Sequence, residues 1–364
     1  MNIALVHDSF TQYGGAERVI EQLHEIFPAA PVYTLVLDRK FRKKYRSWDI
    51  RASWLQIFYN FFSQFKYFLP FIPLAVMSLD LSKYDIVISS SSGFVKNIKL
   101  PESVMHINYC HTPTRFLWTD AGYLAQETPV WIRPIVRLFL KWMKKWDYNG
   151  AQRVTRFIAN SKEVQRRIKA YYHTDSMVIY PGIDTEFWHP TRKKTNYFLL
   201  AGRLQAHKKN DLIVEIFNEL GWPLRLAGTG RQEKYLKSIA KVNITFLGQL
   251  SDEQLRDEYS GALAFIYPQI EDFGLMPLEA AACATATIAY SEGGASETIV
   301  PGVTGELFEK RSKEKIKDIL TNWQALNYRN FQLQNQAKKF SRRLFKENIT
   351  NFINTNLNEN SGRP

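Results

Sequence analysis

The chain has 364 residues, 45% hydrophobic and 23% charged, which excludes a disordered protein and leaves room for two domains with a core each. Its net charge of +13 asks for an anionic partner: nucleic acid, an anionic membrane or a phosphorylated substrate. Two cysteines, Cys110 and Cys283, are too few for a disulfide scaffold and fit a reducing compartment.

From the N-terminus, "MNIALVHDSF" puts Asp8 where a signal peptide would still be apolar, with no basic lead before it. The apolar runs at 52–65 and 67–79 are broken by Lys66, Pro70 and Pro73, short of the roughly 20 residues of a membrane-spanning helix. A cytosolic chain is expected. Short β-rich runs then alternate with helical patterns, which predicts an α/β fold on mostly parallel strands. In the first half "NIALVH", "PVYTLVL", "YDIVISS", "VMHINYC" and "TRFIANS" read as strands. In the second, "NYFLLAG", "PLRLAG", "NITFLG", "ALAFIYP" and "TATIAYS" do the same. Between the two series "YPGIDTEFWHPTRKKT", with Pro181, Gly182 and Pro190, marks an inter-domain connection. Domains are expected at 1–185 and 186–340, with 341–364 a terminal helix packing back on the first.

Ligands of parallel α/β sheets gather at the carboxyl ends of strands, so the residues after each strand are the candidates. After the first, Gly14 and Gly15 let backbone approach a ligand, and a helix from Ala16 would aim its free amides there; a plain glycine turn fits equally. After "VMHINYC", His111 can donate to a sugar hydroxyl or a phosphate oxygen, or act as a structural hydrogen-bonder. After "NYFLLAG", Arg203 and Lys208 offer a guanidinium fork and a point charge suited to a diphosphate, the alternative being a solvated basic loop. "AGTGRQE" has only the first half of a dinucleotide fingerprint and carries little weight as a nicotinamide site.

In "EDFGLMPLEA" Glu271 lies in the loop beyond a strand, Pro277 suits a first helical turn, and Glu279 falls in that turn. The helix dipole alone accounts for Glu279, but not for Glu271 or Gly274. A metal site would want more converging ligands, and no Asp-x-Asp pair occurs, so no metal is expected.

In this order the residues resemble the retaining glycosyltransferases of family 4. These have the GT-B fold, two Rossmann-like domains whose mostly parallel sheets face a central cleft. "EDFGLMPLE" is similar to the family's E-x7-E signature and "GRLQAHKK" to its Arg-plus-Lys diphosphate clamp. "GGAER" is similar to its first glycine loop and "SEGGASETI" to its late Gly-Gly loop. One departure is His207-Lys208-Lys209, where relatives often have Tyr-Lys-Arg or Tyr-Lys-Lys.

The resemblance implies that residues 1–185 bind the acceptor and 186–340 a nucleotide sugar. It makes Gly14, Gly15, Arg203, Lys208, Glu271, Phe273, Gly274, Leu275, Met276 and Glu279 donor-binding, and Glu271, His111, Arg203 and Lys208 catalytic. Glu271 would hold hydroxyls of the donor sugar and Glu279 those of the ribose. Arg203, Lys208 and the amides of Leu275 and Met276 would stabilise the departing diphosphate, with no cofactor and no metal. Within the family, "HDSFTQYGGAERVIEQL", "YCHTPTRFLW" and "IANSKEVQRRI" most resemble bacterial O-antigen and exopolysaccharide mannosyltransferases. That implies GDP-mannose as donor and a polyprenyl-diphosphate-linked saccharide as acceptor.

"WIRPIVRLFLKWMKKW", residues 131–146, adds a feature of its own. On a helical wheel Arg133, Arg137, Lys141, Lys144 and Lys145 fall within an arc of about 120°. Ile135, Leu138, Phe139, Trp142, Met143 and Trp146 fill most of the opposite arc. Basic on one side and aromatic-apolar on the other is the pattern of an interfacial helix. Upstream, "RKFRKKYR" precedes the aromatic-rich "WLQIFYNFFSQFKYFLPFIP". A peripheral position on the anionic cytoplasmic face of the inner membrane is expected, through 131–146 or 39–73; a core-packed helix with a solvated basic face is the alternative. Rival functions are a GT-B nucleotide-sugar 2-epimerase or phosphorylase, a UDP-sugar-dependent transferase, a membrane scaffold and a nucleic-acid-binding protein. Nucleic acid is not expected, because bulky aliphatics interleave the basic stretches and no known binding module is present.

Overall fold

Each of the ten β-rich runs quoted above forms a strand, and every strand pair among the described residues is parallel. The computed structural model describes residues 1–62, 65–119, 128–324 and 327–361. It divides into two compact units, Met1–Tyr180 with Lys346–Pro364, and Pro181–Phe345.

The first unit is built on seven strands: β1 (Ile3–His7), β2 (Val32–Thr34), β3 (Ile50–Ala52), β4 (Ile86–Ser91), β5 (Met105–Cys110), β6 (Arg156–Ala159) and β7 (Ser176–Val178). Their spatial order is β3-β2-β1-β4-β5-β6-β7. The central strands are buried on both faces, as parallel strands covered by helices must be. Leu55, Tyr59, Ile72, Val76 and Met143 cluster with Ala4, Val6 and Val87, while Val164, Ile168 and Tyr172 cluster with Cys110, Phe157 and Ala159 farther along the same face, near β6. Ser161 starts the helix Lys162–Tyr172 by accepting from the amide of Val164 at 3.1 Å, satisfying a donor that the first turn leaves open. The last helix, Arg342–Ser361, returns the chain to this unit, where Asn356 Oδ1 accepts from Arg156 Nε at 2.6 Å.

The second unit holds β8 (Phe198–Ala201), β9 (Leu224–Ala227), β10 (Ile244–Gly248), β11 (Phe265–Tyr267), β12 (Thr287–Tyr290) and β13 (Gly305–Phe308), ordered β10-β9-β8-β11-β12-β13. Both sheets are doubly wound. The strand order reverses between β1 and β4 in one and between β8 and β11 in the other. Loops leaving such neighbours diverge and open a crevice at the strands' carboxyl ends.

Three strands, β3, β7 and β13, have no counterpart in the sequence reading. All three lie at sheet edges, and Arg51, Ala52 and Met177 are exposed. An edge strand buries too little surface to need an apolar run.

Candidate functional site

In the second unit the loop after β8 carries Arg203 with an exposed side chain, then Lys208, only 2% exposed, in the short turn Ala206–Lys208. The loop after β11 brings Glu271 into an ion pair with Lys208. A buried ammonium is tolerated only beside a counter-charge, so this pair is the electrostatic centre of the crevice.

Glycines hold both loops. Gly228 of "AGTGRQE" has φ +130°, and a Cβ there would fall 1.9 Å from the Gly202 carbonyl oxygen. Its backbone therefore packs directly on the loop that carries Arg203, which accounts for the half fingerprint without a dinucleotide. Gly293 of "SEGGASETI" has φ +79°, and a Cβ there would meet the Glu271 carbonyl oxygen at 2.3 Å. That same carbonyl accepts from the Gly294 amide at 2.9 Å. The Gly-Gly loop thus braces Glu271.

Beyond Glu271, Phe273 is buried with its ring 5.9 Å from Phe340. Gly274, at φ +83°, turns the chain into the helix Met276–Ala282, with Leu275 as N-cap and Glu279 in the first turn. Glu279 is buried, and after desolvation its charge is the next cause that pushes the Cys283 thiol up to about 12. Burial first, then Glu271, hold the Tyr267 phenol well above its usual range, and Glu279 adds to this. Tyr267, the last residue of β11, therefore stays protonated. The sequence reading missed it because it looked like the strand's closing aromatic.

In the first unit the crevice between β1 and β4 gathers His7, Ser90, Glu17 and His111, all buried. His111 follows β5; its Nε2 lies 2.8 Å from Ser90 Oγ, and its carbonyl accepts from Asn160 Nδ2 at 3.1 Å. Desolvation, then the charge of His7, hold the His111 imidazole down at about 3, so it is neutral at physiological pH. Gly14 caps the helix Gly15–Ile26 in an extended conformation, and Glu17 lies in that helix's first turn.

A second buried network went unseen in the sequence. The Asp147 carboxylate accepts from Lys96 Nζ at 2.5 Å, Thr114 Oγ1 at 2.8 Å, Trp118 Nε1 at 2.8 Å and Tyr172 OH at 2.8 Å. It ties the long helix Arg133–Ala151 to the segment that follows His111. A lone Asp at the end of a basic stretch gives no signal of this, since its partners are scattered along the chain.

That long helix has three faces rather than two. Met143, Gly150 and Asp147 are buried, and Phe139, Leu140 and Trp146 pack against the core. Ile135 (68% exposed), Leu138 (70%) and Trp142 (51%) form an uncovered apolar stripe, continued by Trp131 (79%). Arg137, Lys141, Lys144 and Lys145 are exposed beside it. Ile57, Phe61, Phe62, Leu74 and Met77 are exposed on segments that pack into the same core cluster. Arg42 reaches Asn60 at 3.3 Å, bringing the upstream basic run to this surface. Among the described residues no helix is long and apolar enough to cross a membrane, and no group of three His, Cys, Asp or Glu side chains is set to hold a metal ion.

The two doubly wound parallel sheets are those of the GT-B fold. Residues 13–187 match the family model described as Glycosyltransferase Family 4, and residues 183–343 match that described as Glycosyl transferases group 1. The chain belongs to the family-4 glycosyltransferases. It is 25% identical over 279 residues to the alpha-1,3/1,6-mannosyltransferase ALG2 of Mus musculus, covering 66% of this chain and 65% of that one. It is 27% identical over 168 residues to the O-antigen chain mannosyltransferase RfbU of Salmonella typhimurium, covering 42% and 46%. The chain spans about half the length of the curated relatives it matches. Among solved structures, HepE of Anabaena in complex with UDP-glucose has a TM-score of 0.72 at 16% identity, covering 98% of this chain and 100% of that one.

Proposed function

We propose that this glycosyltransferase is a retaining, metal-independent hexosyltransferase. It moves mannose from GDP-mannose onto a polyprenyl-diphosphate-linked saccharide at the cytoplasmic face of an anionic inner membrane, in O-antigen-type surface polysaccharide assembly. The observation that carries the reading is the pairing of the buried Lys208 with the partly exposed Glu271 at the switch point of the second sheet. A diphosphate entering that crevice replaces Glu271 as the counter-charge of Lys208. Glu271, released, accepts from hydroxyls of the donor sugar, and Glu279 from those of the ribose.

As the bond from the sugar's C1 to phosphate breaks, negative charge grows on the diphosphate. Lys208, Arg203 and the first amides of the helix Met276–Ala282 stabilise it where a divalent ion would otherwise be needed. The acceptor hydroxyl attacks C1 from the leaving-group face, and the departing phosphate oxygen takes its proton. The configuration at C1 is thereby kept with no enzyme nucleophile. The names of two similar proteins favour mannose, and that of a Corynebacterium glutamicum mannosyltransferase, 28% identical over 152 residues, favours GDP-mannose; the UDP-glucose bound by HepE makes a UDP-sugar the second reading. The exposed apolar stripe and its flanking cations suit the lipid side of the acceptor.

The test is transfer to a polyprenyl-diphosphate-linked saccharide by purified protein in EDTA. GDP-mannose is expected to support transfer, with the anomeric configuration retained. Activity lost in chelator and restored by magnesium or manganese overturns the metal-independent assignment, and an inverted product overturns retention.

A further inference from the structure

The first unit's crevice holds a continuous polar chain that the reaction scheme above does not use. Glu17 Oε1 lies 3.7 Å from His7 Nε2, His7 Nδ1 lies 3.3 Å from Ser90 Oγ, and Ser90 Oγ lies 2.8 Å from His111 Nε2. Each member comes from a different element: the first turn of the helix Gly15–Ile26, the end of β1, β4, and the residue after β5. We propose that Glu17, His7 and Ser90 are positioning residues that fix the tautomer of His111, leaving its Nδ1 as a bare acceptor for a sugar hydroxyl.

Hydrogen-bond stoichiometry drives the argument. Glu17 faces the Nε2 of His7 across 3.7 Å, and a carboxylate there favours the tautomer of a neutral His7 that carries its proton on Nε2. The Nδ1 of His7 then carries a lone pair. A serine hydroxyl has one proton, and here it is donated to that lone pair. Ser90 Oγ is left to accept from His111, so the His111 proton sits on Nε2. The His111 Nδ1 has no partner among the described residues, and it carries the lone pair at the open end of the chain.

A lone pair accepts from a hydroxyl and repels a phosphate oxygen. His111 therefore reads a hydroxyl rather than a phosphate oxygen. The chain also explains a serine in the middle of a buried strand, where an unpartnered hydroxyl would be costly. The inference rests on the transferase reading for its ligand, but not for its proton order.

Two measurements on the full chain test it. The first is ¹⁵N NMR with labelled histidine, the His111 signals being assigned by their loss in His111→Asn. Nδ1 is expected to be pyridine-type and Nε2 pyrrole-type. Glu17→Gln keeps the shape and removes the charge, and it should move Nδ1 part of the way toward pyrrole-type. The second is kinetics: Ser90→Ala should lower kcat about tenfold with nucleotide affinity unchanged, the worth of one well-placed hydrogen bond. Ser90→Thr, which restores the hydroxyl, should recover most of the loss. A pyrrole-type Nδ1 in the wild type, an unshifted Nδ1 in Glu17→Gln, or full activity in a folded Ser90→Ala overturns the proposal. Absence of transfer by the wild type with any nucleotide sugar sinks the transferase reading instead, and the NMR result still decides the chain.

Discussion

Glu271→Ala is expected to abolish transfer while nucleotide affinity stays near wild type, and Glu279→Ala to weaken the nucleotide instead. The two acids occupy different parts of one crevice. Glu271 lies in the loop beyond β11, paired with Lys208 and braced by Gly293 and Gly294. In the proposed mechanism, removing it deletes the acceptor for the donor sugar's hydroxyls, while Lys208 remains for the diphosphate. The loss falls on kcat and should exceed roughly a hundredfold, the scale on which single preorganised polar contacts act in a transition state. Glu279 is buried in the first turn of the next helix, assigned to the ribose. Losing a charge-assisted hydrogen bond there costs about 1.5–3 kcal/mol, on the order of ten- to a hundredfold in Kd. Titration calorimetry with the nucleotide beside a transfer assay reads both effects. Equal loss of nucleotide binding in the two variants contradicts the separate roles.

Reversing Arg137, Lys141 and Lys145 to Glu should release the protein from anionic vesicles. All three are exposed on the helix Arg133–Ala151 beside Ile135, Leu138 and Trp142. Lys144 is left in place because its ammonium lies 4.3 Å over the Trp118 ring, whose indole donates to Asp147. Each basic residue at an anionic surface is worth about 1 kcal/mol, so three reversals remove about 3 kcal/mol before repulsion is counted. That is on the order of a hundredfold in partitioning. Transfer to a short water-soluble acceptor should be retained. A folded variant that sediments with vesicles as wild type does removes this helix as the contact. The exposed Phe61, Leu74 and Met77 surface is then the one to change.

What the sequence made legible follows from what each residue must bury. Central strands such as Ile86–Ser91 are covered on both faces, so their apolar runs were visible. The edge strands Ile50–Ala52 and Ser176–Val178 bury little and carry no such pattern. Lys208 and Glu271 were visible as residues after strands, but their mutual pairing was not, because it joins loops from β8 and β11 that only the sheet order brings together. The amphipathic pattern of residues 131–146 identified a helix. Periodicity alone could not divide its apolar arc into a half that packs on the core and a half left uncovered. The Lys96–Asp147 network and the Glu17–His7–Ser90–His111 chain are invisible for the same reason as the Lys208 pair: buried polar partners are scattered in sequence and meet only in the fold. Breaking a buried pair by removing one partner costs about 3–5 kcal/mol, so such partners matter out of proportion to their sequence signal.

The central claim is that Lys208 and its crevice hold the diphosphate of a nucleotide sugar without a metal. Thermal melting in EDTA tests it directly, on wild type and Lys208→Met, with GDP-mannose, UDP-glucose and ADP-glucose. A ligand at about 100 times its Kd stabilises the folded state by about 2.7 kcal/mol, roughly 5 °C or more for units of this size. GDP-mannose is expected to raise the wild-type Tm by that amount in EDTA and to leave Lys208→Met unmoved. No shift with any of the three sugars, or an equal shift in Lys208→Met, contradicts the account.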